Sequence, residues 1–105
     1  MEFKVGVGIK ELKPQIILAA ILAERVYSKF GVSAMIVTSC NDGQHMTNSK
    51  HYTGNAVDLR TKTVGLARQL VEAIKVQLKP LGYDVIFEDE HGDNEHLHIE
   101  YDPKV

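Results

Sequence analysis

The sequence predicts an α+β fold in which a small antiparallel sheet packs against two helices within one domain, residues 1–105. Apolar residues recur at steps of three and four positions over residues 14–30 and again over 67–78, and this spacing predicts two amphipathic helices. Other segments are continuously apolar or alternate with period two, as strands do. The predicted strands cover residues 34–37, 56–59, 83–88 and 96–101. A chain of 105 residues can bury one modest core and is too short for two.

The two predicted helices have distinct boundary residues. Pro14 suits the first turn of the first helix because an N–H at that position would have no intrahelical partner, and Gly31 ends this helix. Thr61 or Thr63 is expected to cap the second helix, which ends at residues 80–82. The apolar stripe of the first helix contains Ile16, Ala20, Ala23, Tyr27 and Phe30, and that of the second contains Ala67, Leu70, Val71, Ile74 and Leu78. Both stripes are expected to face the core.

The remaining segments are expected to form the sheet and its connections. Residues 34–37 are apolar throughout and are bounded by polar residues, which predicts a buried central strand. Residues 39–58 then form a long loop, and loops of that length in small domains commonly carry function. A polar turn at residues 89–94 joins the last two predicted strands as an antiparallel pair. Residues 1–12 are expected to be a flexible lead-in.

Charge and hydropathy exclude several classes of protein. The net charge of -2 and the lack of a Lys/Arg run argue against binding to nucleic acid or to an anionic membrane surface. The longest apolar run, residues 16–23, falls well short of the roughly 20 residues that span a bilayer. Residues 1–4 lack the pattern of a secretory signal, so we expect no signal peptide. Cys40 is the only cysteine, which rules out an intrachain disulfide and leaves either a metal-ligand thiolate or a small buried thiol.

Three side chains have the chemistry of a catalytic zinc site. Zinc in enzymes takes imidazole and carboxylate ligands, usually three from the protein, with a fourth position open. His51, Asp58 and His98 can supply that set. Strand parity places Asp58 on the polar face of its strand and puts His96 and His98 together on the polar face of theirs. Because two successive residues on one strand face lie roughly 6.6 Å apart, we expect only one of these two histidines to be a ligand.

The same residues lie within a recognisable pattern. The segment Ser-x-His-x-x-Gly-x-Ala-x-Asp at 49–58, followed by Glu-x-x-His at 95–98, resembles the zinc D-alanyl-D-alanine carboxypeptidases. That family includes VanX-like dipeptidases and phage endolysins of the L-alanyl-D-glutamate peptidase type, and it shares its metal site with lysostaphin and the hedgehog proteins. Thr38-Ser39 also looks like the family's Thr-Ser segment. The resemblance extends from about residue 36 to residue 101.

The resemblance implies a fold, a cofactor, a substrate and site residues. The implied fold is hedgehog-like or D-Ala-D-Ala-peptidase-like, with one zinc ion held by His51, Asp58 and His98. Glu95 is then the catalytic base. His96 is expected to hydrogen-bond the substrate or the tetrahedral intermediate, and a purely structural role is the alternative. The implied substrate is a peptidoglycan stem peptide. A monomeric phage or prophage product, made in the bacterial cytoplasm and acting at the cell wall, fits this activity and the expected lack of a signal peptide.

This chain departs from the family pattern after Thr38-Ser39. Family members often continue with Gly-Tyr-Arg, whose Arg stabilises the developing oxyanion, whereas residues 40–45 here contain no Arg. The metal, Gln44 or His45 must then take that role. Ser49 is expected to hold Asp58 or to bind a substrate carboxylate, and Tyr52 to line the cleft. A solvated Ser49 and a simply packed Tyr52 are the alternatives.

The catalytic role of Glu95 conflicts with strand parity. In a regular strand Glu95 would lie with Leu97 on the core face, away from the metal. We therefore expect an irregular backbone before His96 that turns the carboxylate back. If Glu95 points towards the core instead, Asp93 or Glu90 becomes the better base. The functional alternative is a zinc-containing binding module without catalytic activity.

Overall fold

The computed structural model describes residues 1–8, 12–40 and 54–103. Within them, a five-stranded sheet in the order β1-β2-β3-β5-β4 packs against two helices. The elements are β1 (Glu2–Phe3), α1 (Pro14–Lys29), β2 (Ile36–Ser39), β3 (Ala56–Arg60), α2 (Ala67–Leu78), a 3-10 turn (Lys79–Leu81), β4 (Tyr83–Glu88) and β5 (His96–Tyr101). The predicted α+β class, with a small sheet against two helices, is confirmed.

Helix α1 forms where the apolar spacing predicts it. Pro14 is its first residue, and Gly31 adopts a φ of 82° just beyond its end, a conformation that glycine adopts without a steric penalty. Phe30 is only partly buried at the edge of the core. The buried side chains of the helix are Ile16, Ala19, Ala20, Ala23, Val26 and Tyr27. The Tyr27 hydroxyl donates a 2.9 Å hydrogen bond to the carbonyl oxygen of Arg60, which ties α1 to the end of β3.

Helix α2 begins at Ala67, after both of the residues that were predicted to cap it. Leu66 precedes the first helical residue, and no side chain caps this end. The prediction that Thr61 or Thr63 caps α2 is therefore wrong. The Thr61 hydroxyl instead donates to the carboxylate of Glu95, which is a stronger, charge-assisted interaction. Gly82, with a φ of 97°, ends the 3-10 turn that follows α2.

The sheet is mixed because of its first strand. Strand β1 pairs parallel to β2, so the expectation of a flexible lead-in is wrong for Glu2 and Phe3. The other neighbouring strands are antiparallel, as predicted. Strand β2 lies inside the sheet between β1 and β3, but it begins at Ile36 rather than two residues earlier.

The two faces of the sheet differ in chemistry. One face joins the helices in a core whose sheet residues include Val37, Val57, Leu59, Val85, Leu97 and Ile99. Burying such a side chain fully contributes about 1.5–3 kcal/mol. The alternate residues of β3, β4 and β5 point to the other face, and they include Asp58, Asp84, Glu88, His96, His98 and Glu100. The period of two therefore gathers acidic and imidazole side chains on the face away from the helices. Neither α1 nor α2, the two α-helices of the described residues, has the length and hydrophobicity to cross a bilayer.

Candidate metal centre

Asp58 and His98 meet across neighbouring strands. They are directly opposite each other in the antiparallel pair of β3 and β5. The Nδ1 atom of His98 lies 2.8 Å from Oδ1 of Asp58. Their side chains are only 12% and 14% exposed, respectively. The structure thus brings together two of the three predicted zinc ligands, which are 40 residues apart in sequence.

The second ring nitrogen of His98 is bound to another carboxylate. Nε2 lies 2.8 Å from Oε1 of Glu100. Burial disfavours a charged imidazole, but the hydrogen bonds to Asp58 and Glu100 outweigh this effect and raise the pKa of His98 to about 9. In the metal-free protein at neutral pH, the protonated ring therefore donates to both carboxylates.

His96 joins the same group from the next position on this face. Its Nδ1 lies 2.7 Å from the carbonyl oxygen of Asn94, and a carbonyl can only accept, so Nδ1 donates. The other ring nitrogen, Nε2, lies 3.1 Å from Oε1 of Glu88 and 3.8 Å from Oδ2 of Asp58. A backbone carbonyl that fixes one nitrogen while the other faces the site is the usual arrangement around metal-binding histidines.

Four side chains form what we call the Asp58 cluster: Asp58, Glu88, His96 and His98. Both rings reach the same oxygen, because Oε1 of Glu88 is 3.1 Å from His96 Nε2 and 3.8 Å from His98 Nδ1. The side chains thus converge although residues on one strand face are spaced by about 6.6 Å. Among the described residues, Asp58, Glu88 and His96 can each direct a ligand atom into a common space, with these atoms within 4.8 Å of one another.

Glu88 was not predicted as a site residue. In the sequence it begins an acidic run, Glu88-Asp89-Glu90, that resembles a solvated turn. In the structure it is the last residue of β4 and is directly opposite His96. The signal that could have identified it is the antiparallel pairing of β4 and β5, which places Glu88 and His96 on one face.

Glu95 lies apart from the Asp58 cluster. An irregular turn does precede β5, with positive φ values at Asp89 and His91. However, the Glu95 carboxylate accepts hydrogen bonds from the Thr61 hydroxyl at 2.7 Å and from the His91 backbone N–H at 2.9 Å. Burial acts to raise the pKa of Glu95, but these two hydrogen bonds together with the nearby charges of His91 and Lys62 outweigh it, and the pKa is lowered. The turn therefore does not bring this carboxylate to Asp58, because Thr61 and His91 hold it.

Of the two alternative bases, Glu90 has a charged partner: its carboxylate forms a two-oxygen interaction with Arg68, at 2.7 and 2.8 Å. For Asp93 the contact is at the backbone, whose carbonyl oxygen accepts a hydrogen bond from Lys62. Glu88, which was not among the bases predicted from the sequence, contacts both site histidines.

The Thr38-Ser39 segment lies next to Asp58. Ser39 is opposite Asp58 in the pairing of β2 with β3, and the Thr38 hydroxyl donates to the Asp58 carbonyl oxygen at 3.4 Å.

Cys40 is buried in the hydrophobic core. Gly54, the glycine of the motif, has a φ of 76°, a conformation that glycine adopts without a steric penalty. The predicted ligand His51 and the predicted substrate-binding residues Gln44, Ser49 and Tyr52 are outside the described residues, as is His45.

Comparison of the chain with protein-family models, curated proteins and solved structures finds no match. Its function must therefore be inferred from the motif residues and from the geometry of the Asp58 cluster.

Proposed function

We propose that this chain is a zinc-dependent peptidase that hydrolyses an amide bond in peptidoglycan stem peptides. The observation that carries the proposal is the 2.8 Å approach of His98 Nδ1 to Asp58 Oδ1 across β3 and β5. Both residues belong to the motif that resembles the zinc D-alanyl-D-alanine peptidases, and they meet although they are far apart in sequence. The substrate class comes from that resemblance.

Asp58 and His98 supply an oxygen and a nitrogen ligand of the kinds that zinc takes. Two ligands of a tetrahedral zinc ion with bonds of about 2.0–2.2 Å lie roughly 3.3–3.6 Å apart. The donor atoms of Asp58 and His98 lie 2.8 Å apart, a hydrogen-bond distance that would widen by roughly 0.5–0.8 Å around such an ion. In our proposal Asp58 and His98 hold the ion together with His51. When bound, zinc supplies Lewis acidity that polarises a carbonyl and lowers the pKa of water from about 15.7 to about 7.

Hydrolysis also needs a carboxylate that accepts a proton from water and returns it to the leaving amine. Glu88 is 3.1 Å from His96 and is 46% exposed, so water and substrate can reach it. Glu95, the base that the sequence pattern implies, is bound to Thr61 and His91. We therefore assign the role of base to Glu88.

His96 is suited to act on the substrate oxygen. Its ring is held by the Asn94 carbonyl, and its Nε2 faces Glu88 and Asp58. With a second ring proton taken from solvent, and not from Glu88, Nε2 would donate to the carbonyl oxygen that becomes negative in the transition state. In that form His96 would supply the charge that an Arg provides in the enzymes that the motif resembles.

The alternative is a zinc-containing binding module without catalytic activity. The position of Glu95 favours it, because the carboxylate implied as the base is held away from the Asp58 cluster. The lack of an Arg in residues 40–45 points the same way. In such a module zinc would be retained, but no amide bond would be cleaved.

An assay on purified peptidoglycan separates the two functions. We expect the zinc-loaded protein to release new amino termini and Glu88→Gln to lose about 10²–10⁴-fold of that rate. Glu90→Gln is the matched control, since it removes a carboxylate two residues away that pairs with Arg68, and it should stay active. No release by a wild-type protein that carries about one zinc per chain would support the binding module. Loss of activity in Glu95→Gln and not in Glu88→Gln would return the base to Glu95.

A further inference from the structure

We infer that Glu100 is a positioning residue that selects which ring nitrogen of His98 faces the metal. The inference rests on the proposed zinc site and goes beyond it. Glu100 lies outside the motif residues, two positions after His98 on the same strand face.

The contacts of His98 assign its two ring nitrogens to different partners. An ionised carboxylate can only accept hydrogen bonds, so Nδ1 donates to Asp58 at 2.8 Å and Nε2 donates to Glu100 at 2.8 Å in the metal-free protein. A metal ion held by Asp58 and His98 would take the place of the Nδ1 proton, and the neutral ring would then keep its one N–H on Nε2. By accepting that N–H, Glu100 would hold His98 in the neutral form that can bind a metal beside Asp58.

The surroundings of Glu100 strengthen this contact. The side chains of His98 and Glu100 are only 12% and 20% exposed, and hydrogen bonds are electrostatically stronger where water is scarce. On β3 the residue opposite Glu100 is Ala56, whose single methyl group leaves room for a longer neighbour. On β4 the opposite residue is Asp84.

Removal of the contact should weaken metal binding without unfolding the sheet. Carboxylates that hydrogen-bond a metal-binding histidine typically account for about 10- to 100-fold in metal affinity. We expect that loss for Glu100→Ala. Glu100→Gln should remain close to the wild type, because its amide oxygen can accept the same hydrogen bond. Asp84→Asn is the charge-matched control, since it removes one negative charge opposite Glu100 and leaves the His98 to Glu100 contact in place.

Two measurements with Zn²⁺ alone test the inference. The zinc dissociation constant is determined by competition with a chromophoric chelator for the wild type and the three variants. The tautomer of His98 in the zinc-loaded proteins is read from long-range ¹H–¹⁵N NMR spectra of the ring. We expect Nε2–H in the wild type, Glu100→Gln and Asp84→Asn, and a changed or mixed tautomer in Glu100→Ala.

The outcomes separate this inference from the proposed function. Wild-type affinity and an unchanged His98 tautomer in Glu100→Ala would overturn the role of Glu100 and leave the zinc site intact. An equal loss of affinity in Glu100→Gln, Asp84→Asn and Glu100→Ala would also overturn it, because the effect would then be one of general charge. A wild-type protein that binds no zinc would overturn the proposed function itself.

Discussion

Glu88 and His96 face each other where β4 turns into β5, with Oε1 of Glu88 3.1 Å from Nε2 of His96. The pair forms because these residues are directly opposite in the hairpin. Asp58 lies beside it on the other neighbour of β5, 3.8 Å from the same ring nitrogen. Glu88 and His96 thus lie next to Asp58, one of the proposed ligands, and solvent can reach Glu88, whose side chain is 46% exposed.

The first prediction separates a base from a ligand at Glu88. We expect Glu88→Gln to retain about one zinc per chain while it loses activity, because the proposed ligands are Asp58, His98 and His51. Metal analysis after exhaustive dialysis measures the first quantity, and amine release from peptidoglycan measures the second. Loss of zinc together with activity would make Glu88 a ligand instead.

The second prediction concerns the ligand set. Asp58→Ala and His98→Ala should each lose stoichiometric zinc, since either change leaves two of the three protein ligands that a catalytic zinc site usually has. His51→Ala should behave the same way, although His51 is outside the described residues. His91→Ala is the control, because that side chain is 86% exposed and lies in the turn. Unchanged zinc content in His51→Ala would remove this residue from the set.

The third prediction concerns the two faces of the sheet. Leu97 is fully buried against the helices, whereas Ile86 on the adjacent strand is 45% exposed on the site face. We expect Leu97→Ala to lower the free energy of unfolding by about 2–5 kcal/mol through the cavity that it leaves. Ile86→Ala should cost less than about 1 kcal/mol, because it loses far less buried contact. Urea titrations measure both values, and equal costs would contradict the assignment of the faces.

The fourth prediction is a pH dependence that arises at Glu95. Burial acts to raise the pKa of Glu95 in the folded protein, but hydrogen bonds from Thr61 and His91 together with the charges of His91 and Lys62 outweigh it, so the pKa is lowered. A lowered pKa stabilises the fold above the unfolded value of about 4.3, and this stabilisation is lost as the pH falls through the folded pKa. We therefore expect the difference in unfolding free energy between wild type and Glu95→Gln to shrink on acidification from pH 7.

Unfolding curves at several pH values test this, with Glu72→Gln as a control for the removal of an exposed carboxylate on α2. A difference between wild type and Glu95→Gln that stays constant down to about pH 3 would contradict the linkage, because the carboxylate would then gain nothing from its partners in the folded state.

The elements predicted correctly from the sequence are those whose apolar periodicity lies within the element itself. Helix α1 and the pair β4 and β5 form where the periodicity indicates, because each buries its own apolar stripe or face. Strand β1 was missed, since its two residues carry no period and are held by pairing with Ile36 and Val37. The prediction that Thr61 or Thr63 caps α2 was wrong. The Thr61 hydroxyl instead donates a hydrogen bond to Glu95, 34 residues further along the chain.

The same distinction applies to the site. Residue types and the resemblance of the motif to zinc peptidases pointed to Asp58 and His98 as candidate ligands, and strand parity put both on polar faces, where the structure has them opposite each other. Glu88 could not be assigned without the register of the hairpin, which pairs it with His96. Glu95 matched its motif by spacing, but its side-chain direction depends on Thr61 and His91, which the motif does not include.

The contact between Asp58 and His98 also bears on how the chain folds. These residues are separated by 40 positions, and α2 and β4 lie between their strands in the chain order. Their meeting closes a long loop, and such non-local pairing is the slow part of folding. Until β3 and β5 pair, nothing in the fold holds the imidazole beside the carboxylate. If the proposed zinc site exists, uptake of the ion would report completion of the sheet, and its rate in refolding protein should follow the slowest folding phase.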